Sequence, residues 1–538
     1  MSATATTRTR PSIDGLLGRV TMYRLVTIVL AAIVAVYLVF TATGVIEGLS
    51  TLGNAVALVV LLVASVGSNR VLGLAWRVKP HDESAVITAL ILFFLFVPLP
   101  EAGRGEGPGF GAANLAWLAA AAVLANASKY VLAWRGRHVL NPAAAGALLV
   151  VLAQWAVGRE SSINALWQTA ATEALTPFVA LGALLVLWRT RRLDVGMVFV
   201  VVAATLVLVG LTVGFGTPFS QAWQTTLYSY PILFAAGFMV SEPQTLPPRR
   251  WQQLVVAVVM GAMLGFPTFA DVVGVVPPTL GPVTMTPELA ILVGNLVAFA
   301  LARQAGVVLQ ASGTRRLAGD TWEVAFRPRR PVRFEPGQYL ELHLPHVGAD
   351  RRGVRRVFSI ASPPADDDLR VAVRVPEPAS SFKRALVGLR EGDRVRATGV
   401  HGDFVWPRAT SRRGARPLLL VAGGIGVTPF LSQLRAGEPR DVVLVYGVPD
   451  GDVVPFRDEL VSTGVRVVLV SPERPANLPD GWTHVAAPAV SGEVVDEAVP
   501  DAAVRVAYVS GPPAMVSAVR PALRRRCAGV RTDYFSGY

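Results

Sequence analysis

Residues 22–309 contain ten runs of mainly apolar residues, and this feature limits the fold more than any other in the sequence. A helix needs about 20 mainly apolar residues to cross a bilayer. The runs therefore predict a polytopic α-helical membrane domain of about ten spans, which follows a cytoplasmic tail at 1–21. The predicted spans are 22–46, 53–74, 84–99, 112–134, 139–157, 174–188, 195–216, 224–241, 251–268 and 285–306.

Basic residues alternate between the predicted connections, as expected when cytoplasmic loops are enriched in Lys and Arg. With the N-terminus inside, the outer connections contain only Arg104 and Arg159. An even number of spans returns the chain to the cytoplasm before residue 310. We therefore expect a multi-pass protein of the plasma (inner) membrane, in contact with the lipid bilayer, with a cytoplasmic C-terminal half. The inner connections contain Arg70, Arg77, Lys79, Lys129, Arg135, Arg137, Arg189, Arg191, Arg192, Arg249 and Arg250.

Composition supports a membrane half and a soluble half, and it excludes some partners. The mean hydropathy of +0.48 is too high for a soluble protein, and 538 residues are too many for one domain. The net charge of +13 does not predict a nucleic-acid partner, because many of the cations flank apolar runs. Cys527 is the only cysteine, which excludes a disulfide within the chain and a Cys-ligated iron–sulfur cluster.

Histidine usage argues against haem. Electron transfer through two b haems requires two His pairs on facing spans. Of the six histidines, only His81 and His138 lie within 22–309, each near the end of a predicted span. We therefore predict no haem, and we predict no metal site.

A glycine-rich turn lies in the second half of the chain, within 416–434. The apolar run 418–421 has the pattern of a buried parallel strand. Glycines follow at 423–426, and Thr428 and Pro429 then suit a helix N-cap and first turn. Strand, glycine turn and helix N-terminus together can bind a phosphate group, although the turn lacks the full dinucleotide fingerprint.

The C-terminal half divides into two domains. After a linker at 303–314, short strands separated by Gly, Pro and Asp predict an antiparallel β-barrel at 315–408. Alternating strands and helices predict an α/β nucleotide-binding domain at 414–538, with a crevice at the strand ends. The predicted strands are 322–326, 339–344, 356–360, 369–375, 394–398, 418–421, 442–446, 465–470 and 504–509, and the predicted helices are 429–436, 455–462, 493–498 and 513–526.

Four motifs in this half resemble those of the ferredoxin–NADP reductase family, over about 315–538. They are the PGQ[YF] turn at 336–339, the R-x-[YF]-S flavin motif at 356–359, the G-G-x-G-x-[TS]-P loop at 423–429 and the [CS]-G-P-x-x-M loop at 510–515. The resemblance implies an FAD-binding barrel and an NAD(P)-binding domain.

The same resemblance assigns residue roles. It implies that Arg356 binds the flavin diphosphate, Phe358 stacks on the flavin and Ser359 donates a hydrogen bond near its reactive nitrogen. The implied catalytic residues are Ser359, Ser510, beside the nicotinamide, and Tyr538, in an aromatic C-terminus that covers the flavin. The implied cofactor-binding residues are Tyr339, Arg356, Val357, Phe358, Ser359, Ser380, Ser381, Gly423, Gly424, Gly426, Thr428, Pro429, Gly511, Pro512 and Met515.

The sequence leaves the choice between NADH and NADPH open. A ribose diol is bound by Asp or Glu after the second or third strand, and a 2′-phosphate by Arg or Lys. Asp450 follows the second predicted strand with no nearby base, which slightly favours NADH. Glu473 and Arg474 follow the third and offer both charges.

Two stretches of the membrane half, 129–146 and 238–248, resemble a family of membrane flavoproteins. That family includes flavin-carrying membrane components of the Rnf electron-transport complex and of the sodium-translocating NADH:quinone reductase. The resemblance implies a membrane-embedded FMN, attached to the last Thr of a Ser-Gly-Ala-Thr motif. The nearest match is 169–172, which makes Thr172 the candidate, and a flavin held without a covalent bond near Asn141 and Glu242 is the alternative.

These observations predict an NAD(P)H-dependent FAD oxidoreductase that passes electrons to a membrane acceptor: a membrane flavin, a quinone or a partner subunit. Two alternatives stay open. In the first, the chain is a transporter whose soluble half senses redox state. In the second, it is a soluble-type reductase, and the membrane half serves only as an anchor.

Overall fold

A computed structural model describes residues 20–78, 80–96, 112–135, 137–158, 167, 170–279, 283–303, 305–350, 353–407, 416–437 and 440–534. The chain forms two compact units, Met1–Ala305 and Gly306–Tyr538. Several residues used in the predictions lie outside the described residues: Lys79, Arg104, Arg159, Thr169 and Tyr538.

The first unit is helical, and a described helix falls within each predicted span. The eighth span is not one helix, because the chain breaks between α8 and α9 at Pro231, which has no N–H to continue the ladder. The helices are α1 (Met22–Ala42), α2 (Thr51–Ala75), α3 (Asp82–Leu95), α4 (Ala112–Val131), α5 (Pro142–Ala156), α6 (Thr176–Thr190), α7 (Leu193–Val209), α8 (Phe219–Tyr228), α9 (Ile232–Ala235), α10 (Arg250–Phe269) and α11 (Pro287–Ala302), with a short hairpin of β1 (Ala133–Trp134) and β2 (Arg137–His138).

The described helices support fewer spans than the apolar runs predict. Four of them are long and apolar enough to cross a membrane: α1, α2, α7 with its π-helical continuation to Gly214, and α10. Three more, α5, α6 and α11, are apolar but have only 15–16 residues. The count of ten spans therefore stays a prediction.

Small residues let α10 approach α7 closely. On α10, a Cβ added at Gly261 would lie 2.9 Å from the carbonyl oxygen of Phe199, and one at Gly265 would lie 2.9 Å from that of Ala203. This spacing of small residues is common where membrane helices pack backbone to backbone. Helices α5 and α4 also pack closely, because Gly146 on α5 lies against Ala125 on α4.

The second unit begins with a barrel whose first strand the sequence analysis missed. β3 (Val307–Arg316) occupies the stretch that we predicted as the end of the membrane domain and the linker. The error arose because the first three residues of β3, Val307 to Leu309, are apolar and continue the last predicted span. The other strands are β4 (Thr321–Pro328), β5 (Tyr339–His343), β6 (Arg355–Ser359), β7 (Leu369–Arg374) and β8 (Arg394–His401), in the antiparallel order β6-β5-β8-β3-β4-β7, with α12 at Ser381–Val387.

The chain then forms a parallel sheet in the order β12-β11-β10-β9-β13-β14. Because the order reverses between β9 and β13, their carboxyl ends border the crevice where such sheets bind ligands. The four predicted strands and helices are confirmed within two residues; β12 and β14 were not predicted. The elements are β9 (Leu418–Gly423), α13 (Thr428–Arg435), β10 (Val442–Gly447), α14 (Arg457–Ser462), β11 (Arg466–Ser471), β12 (Thr483–Ala486), α15 (Gly492–Ala498), β13 (Val506–Gly511), α16 (Pro513–Arg526) and β14 (Gly529–Tyr534).

Helix α13 joins the sheet to the barrel through buried hydrogen bonds. Ser432 donates to the carbonyl of Ser362 at 2.7 Å, and the amide of Gln433 donates to the carbonyl of Phe404 at 2.7 Å. The Tyr508 hydroxyl donates to the carbonyl of Val405 at 2.8 Å, and burial raises the pKa of Tyr508 to about 12, so this donor stays protonated. The two domains of the second unit are therefore held together by polar contacts to barrel carbonyls.

We expect Gly337→Ala to weaken this junction. Gly337 has φ +94°, and an added methyl would overlap the Phe404 carbonyl oxygen and the Gln433 amide. Left-handed backbone strain and overpacking should together cost about 2–4 kcal/mol, seen as a lower thermal midpoint of the C-terminal unit by calorimetry of the full-length protein. Gly348→Ala is the control, because Gly348 has φ +68° with open space around its Cα. Equal losses in the two variants would contradict the role given to the junction.

Candidate functional site

Two glycine-containing loops meet at the crevice between β9 and β13. A Cβ at Gly426 would lie 2.4 Å from the carbonyl oxygen of Ser510 and 2.6 Å from the Cα of Gly511. A Cβ at Gly423 would lie 2.5 Å from the sulfur of Met515 and 3.1 Å from Pro512. Gly426 therefore tolerates no side chain while the loops keep this contact, whereas a side chain at Gly423 would displace the end of Met515. The two sequence motifs thus form one surface at the strand ends, where a dinucleotide is expected to bind.

The helix behind this surface begins differently from the prediction. Residues Gly424–Val427 form a 3-10 turn that leads directly into α13, with Val427 at the N-cap position. Thr428 is the first helical residue, and its hydroxyl donates to the carbonyl of Ile425 at 3.0 Å. Thr428 is therefore not the N-cap. Gly424 has φ +51° and open space around its Cα, so a phosphate can approach the backbone there.

Two predicted catalytic hydroxyls are buried without a hydrogen-bond partner. Ser359 ends β6, and Ser510 lies next to the end of β13. The Oγ atoms of both are inaccessible to solvent and unpaired in this structure, which is unusual for buried polar atoms. Ser359 lies three residues before Ser362, whose carbonyl accepts from α13. Buried hydroxyls without a protein partner can bond the polar groups of a bound ligand.

Arg356 is buried in the barrel and already engaged. Its side chain is 4% exposed, and its guanidinium lies 5.1 Å above the ring of Phe382. One nitrogen donates to the Asp350 carboxylate at 3.3 Å, and another donates to the Gly353 and Arg355 carbonyls. These contacts fix the orientation of the planar guanidinium, and its binding of the flavin diphosphate stays a prediction.

Ser380 and Ser381 lie close to this arginine through Asp350. Ser380 caps α12, where its hydroxyl accepts from the N–H of Lys383 at 3.4 Å. The Ser381 hydroxyl accepts from the N–H of Asp350 and contacts Nε2 of His346, both at 2.9 Å. Arg356 and Ser381, two of the predicted cofactor-binding residues, therefore both contact Asp350. His346 was missed because its position in a loop of polar and small residues gave no periodic signal.

The remaining predicted flavin residues lie on β5 and β6. Tyr339 pairs with Ser359 across the β5–β6 ladder, and its ring stacks on His401 with a centroid distance of 5.9 Å. Val357 is half-buried on the opposite face of β6 from Arg356. Phe358 is 9% exposed and stacks on Phe382 inside the barrel core, so the structure gives it a packing role. Its stacking on a flavin stays a prediction.

The structure does not choose between NADH and NADPH. Glu473 and Arg474 are both exposed after β11. The Ser471 hydroxyl donates to the carbonyl of Glu473 at 2.7 Å, which fixes the start of this loop, and Asp450 is exposed after β10. The loops therefore present both charges at the crevice edge.

The two stretches that carry the membrane-flavoprotein resemblance meet in the helical unit. Glu242 contacts His138 Nε2 at 3.1 Å and accepts from the Asn141 amide at 2.9 Å. Asn141 also caps α5, and its N–H donates to Asn295 on α11 at 2.7 Å. Asn295 is 1% exposed, and its amide nitrogen is buried without a partner beside a cavity lined by Arg137, His138, Thr245 and Phe299. We call His138, Asn141, Glu242 and Asn295 the helix-end cluster.

Thr172 lies apart from the helix-end cluster in sequence, just before α6. Its carbonyl accepts from the N–H and the hydroxyl of Thr176 at 2.9 and 2.7 Å. Its own hydroxyl is buried without a partner. These contacts hold the backbone at Thr172, and flavin attachment there stays a prediction, as does the role of Tyr538 outside the described residues.

Comparison with known proteins agrees with the geometry of the second unit. Residues 420–521 match the family described as "Oxidoreductase NAD-binding domain". The chain is 34% identical over 226 residues to the aromatic O-demethylase reductase subunit of an Amycolatopsis species, covering 39% of this chain and 62% of that protein. It is 30% identical over 238 residues to the toluate 1,2-dioxygenase electron transfer component of Pseudomonas putida, covering 41% and 64%.

A crystal structure of a cytochrome P450 reductase from Amycolatopsis is also similar, with 27% identity and a TM-score of 0.37. The match covers 43% of this chain and 71% of that one. The matches to the demethylase reductase subunit and to the dioxygenase electron transfer component each span somewhat less than two thirds of those proteins.

Arg356→Ala should release the flavin cofactor. Loss of charge-assisted hydrogen bonds worth about 1.5–3 kcal/mol predicts FAD binding weaker by about 10–150-fold, measured by flavin retention on dilution. Arg356→Lys should recover only part of this affinity, because an ammonium cannot form a bidentate contact.

Arg327→Ala is the control, since Arg327 is 71% exposed and pairs with Asp368 on the barrel surface. Full FAD occupancy in Arg356→Ala would show that the flavin diphosphate binds elsewhere.

Proposed function

We propose that this chain, whose C-terminal half is an NAD(P)H-dependent flavin oxidoreductase of the ferredoxin–NADP reductase type, moves electrons from NAD(P)H through FAD to an acceptor in the membrane. One observation carries the proposal. The loops at 423–429 and 510–515 pack against each other, and the barrel in the same unit contains the buried Arg356. The unpaired hydroxyls of Ser359 and Ser510 lie on the two domains that α13 joins.

The residues present fit FAD. Arg356, Ser380 and Ser381 would hold its diphosphate, and the Ser359 hydroxyl would donate to its ring. When bound, FAD supplies the chemistry of accepting a hydride and releasing electrons singly.

The second domain would position the nicotinamide. The 424–427 turn offers backbone N–H groups to the dinucleotide phosphates. The Ser510 hydroxyl is free to bond a polar group of the nicotinamide, and Met515 closes the loop over Gly423. Because both domains contact α13, the two rings would be held against one another without a large rearrangement.

For the acceptor, we propose a site in the helical unit. The support is the resemblance of 129–146 and 238–248 to a membrane flavoprotein family, and the meeting of those stretches at the helix-end cluster. Asn295 contributes a buried, unpaired amide there. A flavin near Asn141, an FMN on Thr172, a quinone or a partner subunit would each serve as acceptor. We propose the plasma (inner) membrane as the location, with the C-terminal half in the cytoplasm.

One alternative has a specific observation in its favour. The two relatives named above are the reductase subunit of a demethylase and the electron transfer component of a dioxygenase. A chain of that kind would pass electrons to a separate oxygenase, and its helices would serve as an anchor. The flavin content of the full-length protein separates this alternative from the proposal.

The hydride step is tested with Gly426→Ala. Its methyl would collide with the Ser510 carbonyl and separate the two loops. If the displaced loops cost the hydride step about 1–3 kcal/mol, reduction of the bound flavin by NADH or NADPH should slow by about 5- to 150-fold. Anaerobic stopped-flow absorbance measures this rate, and FAD occupancy should stay unchanged.

The control is Gly437→Ala, because Gly437, just after α13, has φ +74° and open space around its Cα, so that its methyl strains the backbone without entering the two loops. A wild-type protein without flavin, or with flavin that neither nucleotide reduces, would contradict the proposal.

The membrane acceptor is tested by flavin extraction after acid precipitation. We expect FAD in the supernatant and a second flavin, either free FMN or FMN that remains in the pellet. A covalent flavin gives a fluorescent band on a denaturing gel, which Thr172→Ala should abolish while FAD is retained. FAD alone, at one per chain, would exclude a membrane flavin and favour the anchor alternative or a quinone site.

A further inference from the structure

Lys129, near the C-terminal end of α4, is surrounded by neutral oxygen atoms. Its Nζ atom lies 3.0 Å from Thr88 Oγ1 and Asn126 Oδ1, and 3.3 Å from both the hydroxyl and the carbonyl oxygen of Ser84. Among the residues that the structure describes, no carboxylate forms an ion pair with this ammonium. We call Ser84, Thr88, Asn126 and Lys129 the lysine cage.

Hydrogen bonds to other residues orient two of the oxygen acceptors in the lysine cage. The amide nitrogen of Asn126 donates to the hydroxyl and carbonyl of Ser65 at 2.9 and 3.0 Å, and to Ser68 at 3.2 Å. The Asn126 oxygen must therefore face Lys129. Thr88 donates its own proton to the carbonyl of Ser84 at 2.8 Å, which leaves its lone pairs for Lys129. The neighbouring helix α2 thus fixes the cage from outside.

Charged groups near the cage have other partners. On α3, Asp82 pairs with Arg70 at 2.8 Å, and Glu83 pairs with Arg24 at 3.4 Å. Glu242 belongs to the helix-end cluster. His81 caps α3, and the Tyr130 hydroxyl donates to Asn69 on α2. At contact distance the ammonium of Lys129 therefore meets only neutral oxygens among the described residues, while the carboxylate of Glu242 attracts it from farther away.

We propose that the lysine cage is a monovalent-cation site, occupied in this chain by its own ammonium. Proteins hold alkali cations with rings of neutral carbonyl and hydroxyl oxygens in the same way. The contact distances of 3.0–3.3 Å suit an ion the size of ammonium or potassium.

The test removes the tethered occupant and offers free cations. Full-length wild type, Lys129→Ala and Lys129→Met are purified in detergent, and their thermal midpoints are measured in equal concentrations of ammonium, potassium, sodium and choline chloride. We expect ammonium or potassium to raise the midpoint of Lys129→Ala above its value in choline by about 2 °C or more. Wild type and Lys129→Met, whose cages are filled, should show no such preference.

Lys383→Ala is the matched control, because Lys383 is a lysine of the second unit whose Nζ donates to the carbonyl of Arg374. It should respond to the four salts as wild type does. The proposal is overturned if Lys129→Ala has the same midpoint in all four salts, if it folds in none of them, or if wild type shows the same preference.

Discussion

The candidate site depends on one helix that serves two domains. Helix α13 starts at the glycine turn and, one turn later, donates from Ser432 and Gln433 to barrel carbonyls. Because these bonds are buried, breaking one would leave an unsatisfied polar group at a cost of about 1–3 kcal/mol. The helix therefore cannot rotate or slide without losing them. The position of the glycine turn relative to the barrel follows from this constraint.

Buried cationic side chains have different partners in the two units. In the second unit, Arg356 and Arg505 are each 4% exposed and bonded to carboxylates, and Arg505 holds the pKa of Asp501 below its usual range. In the helical unit, Lys129 has neutral partners, and Asn126 and Asn295 are buried amides. A charge without a counter-ion at contact distance is costly in a medium of low dielectric. Packing alone would be served better by an apolar side chain, so the charge of Lys129 points to a functional role.

Sequence reasoning succeeded where a pattern reflects a local rule. The β9 strand and α16 follow from apolar periodicity and from Pro at a helix start, and the motifs at 423–429 and 510–515 carry their own backbone requirements. It failed where a pattern has two readings. β3 resembled the end of a membrane helix, and Thr428 resembled an N-cap, although its hydroxyl bonds the turn before it.

The sequence by itself determined that the chain has an apolar helical half and an α/β half with nucleotide-binding loops, because composition and glycine spacing are properties of the chain alone. Only the tertiary structure decided which distant residues meet. It brought Gly426 against Ser510, His138 and Asn141 against Glu242, and the ammonium of Lys129 into a ring of neutral oxygens. Such contacts depend on the register and crossing of packed elements, which no local pattern encodes.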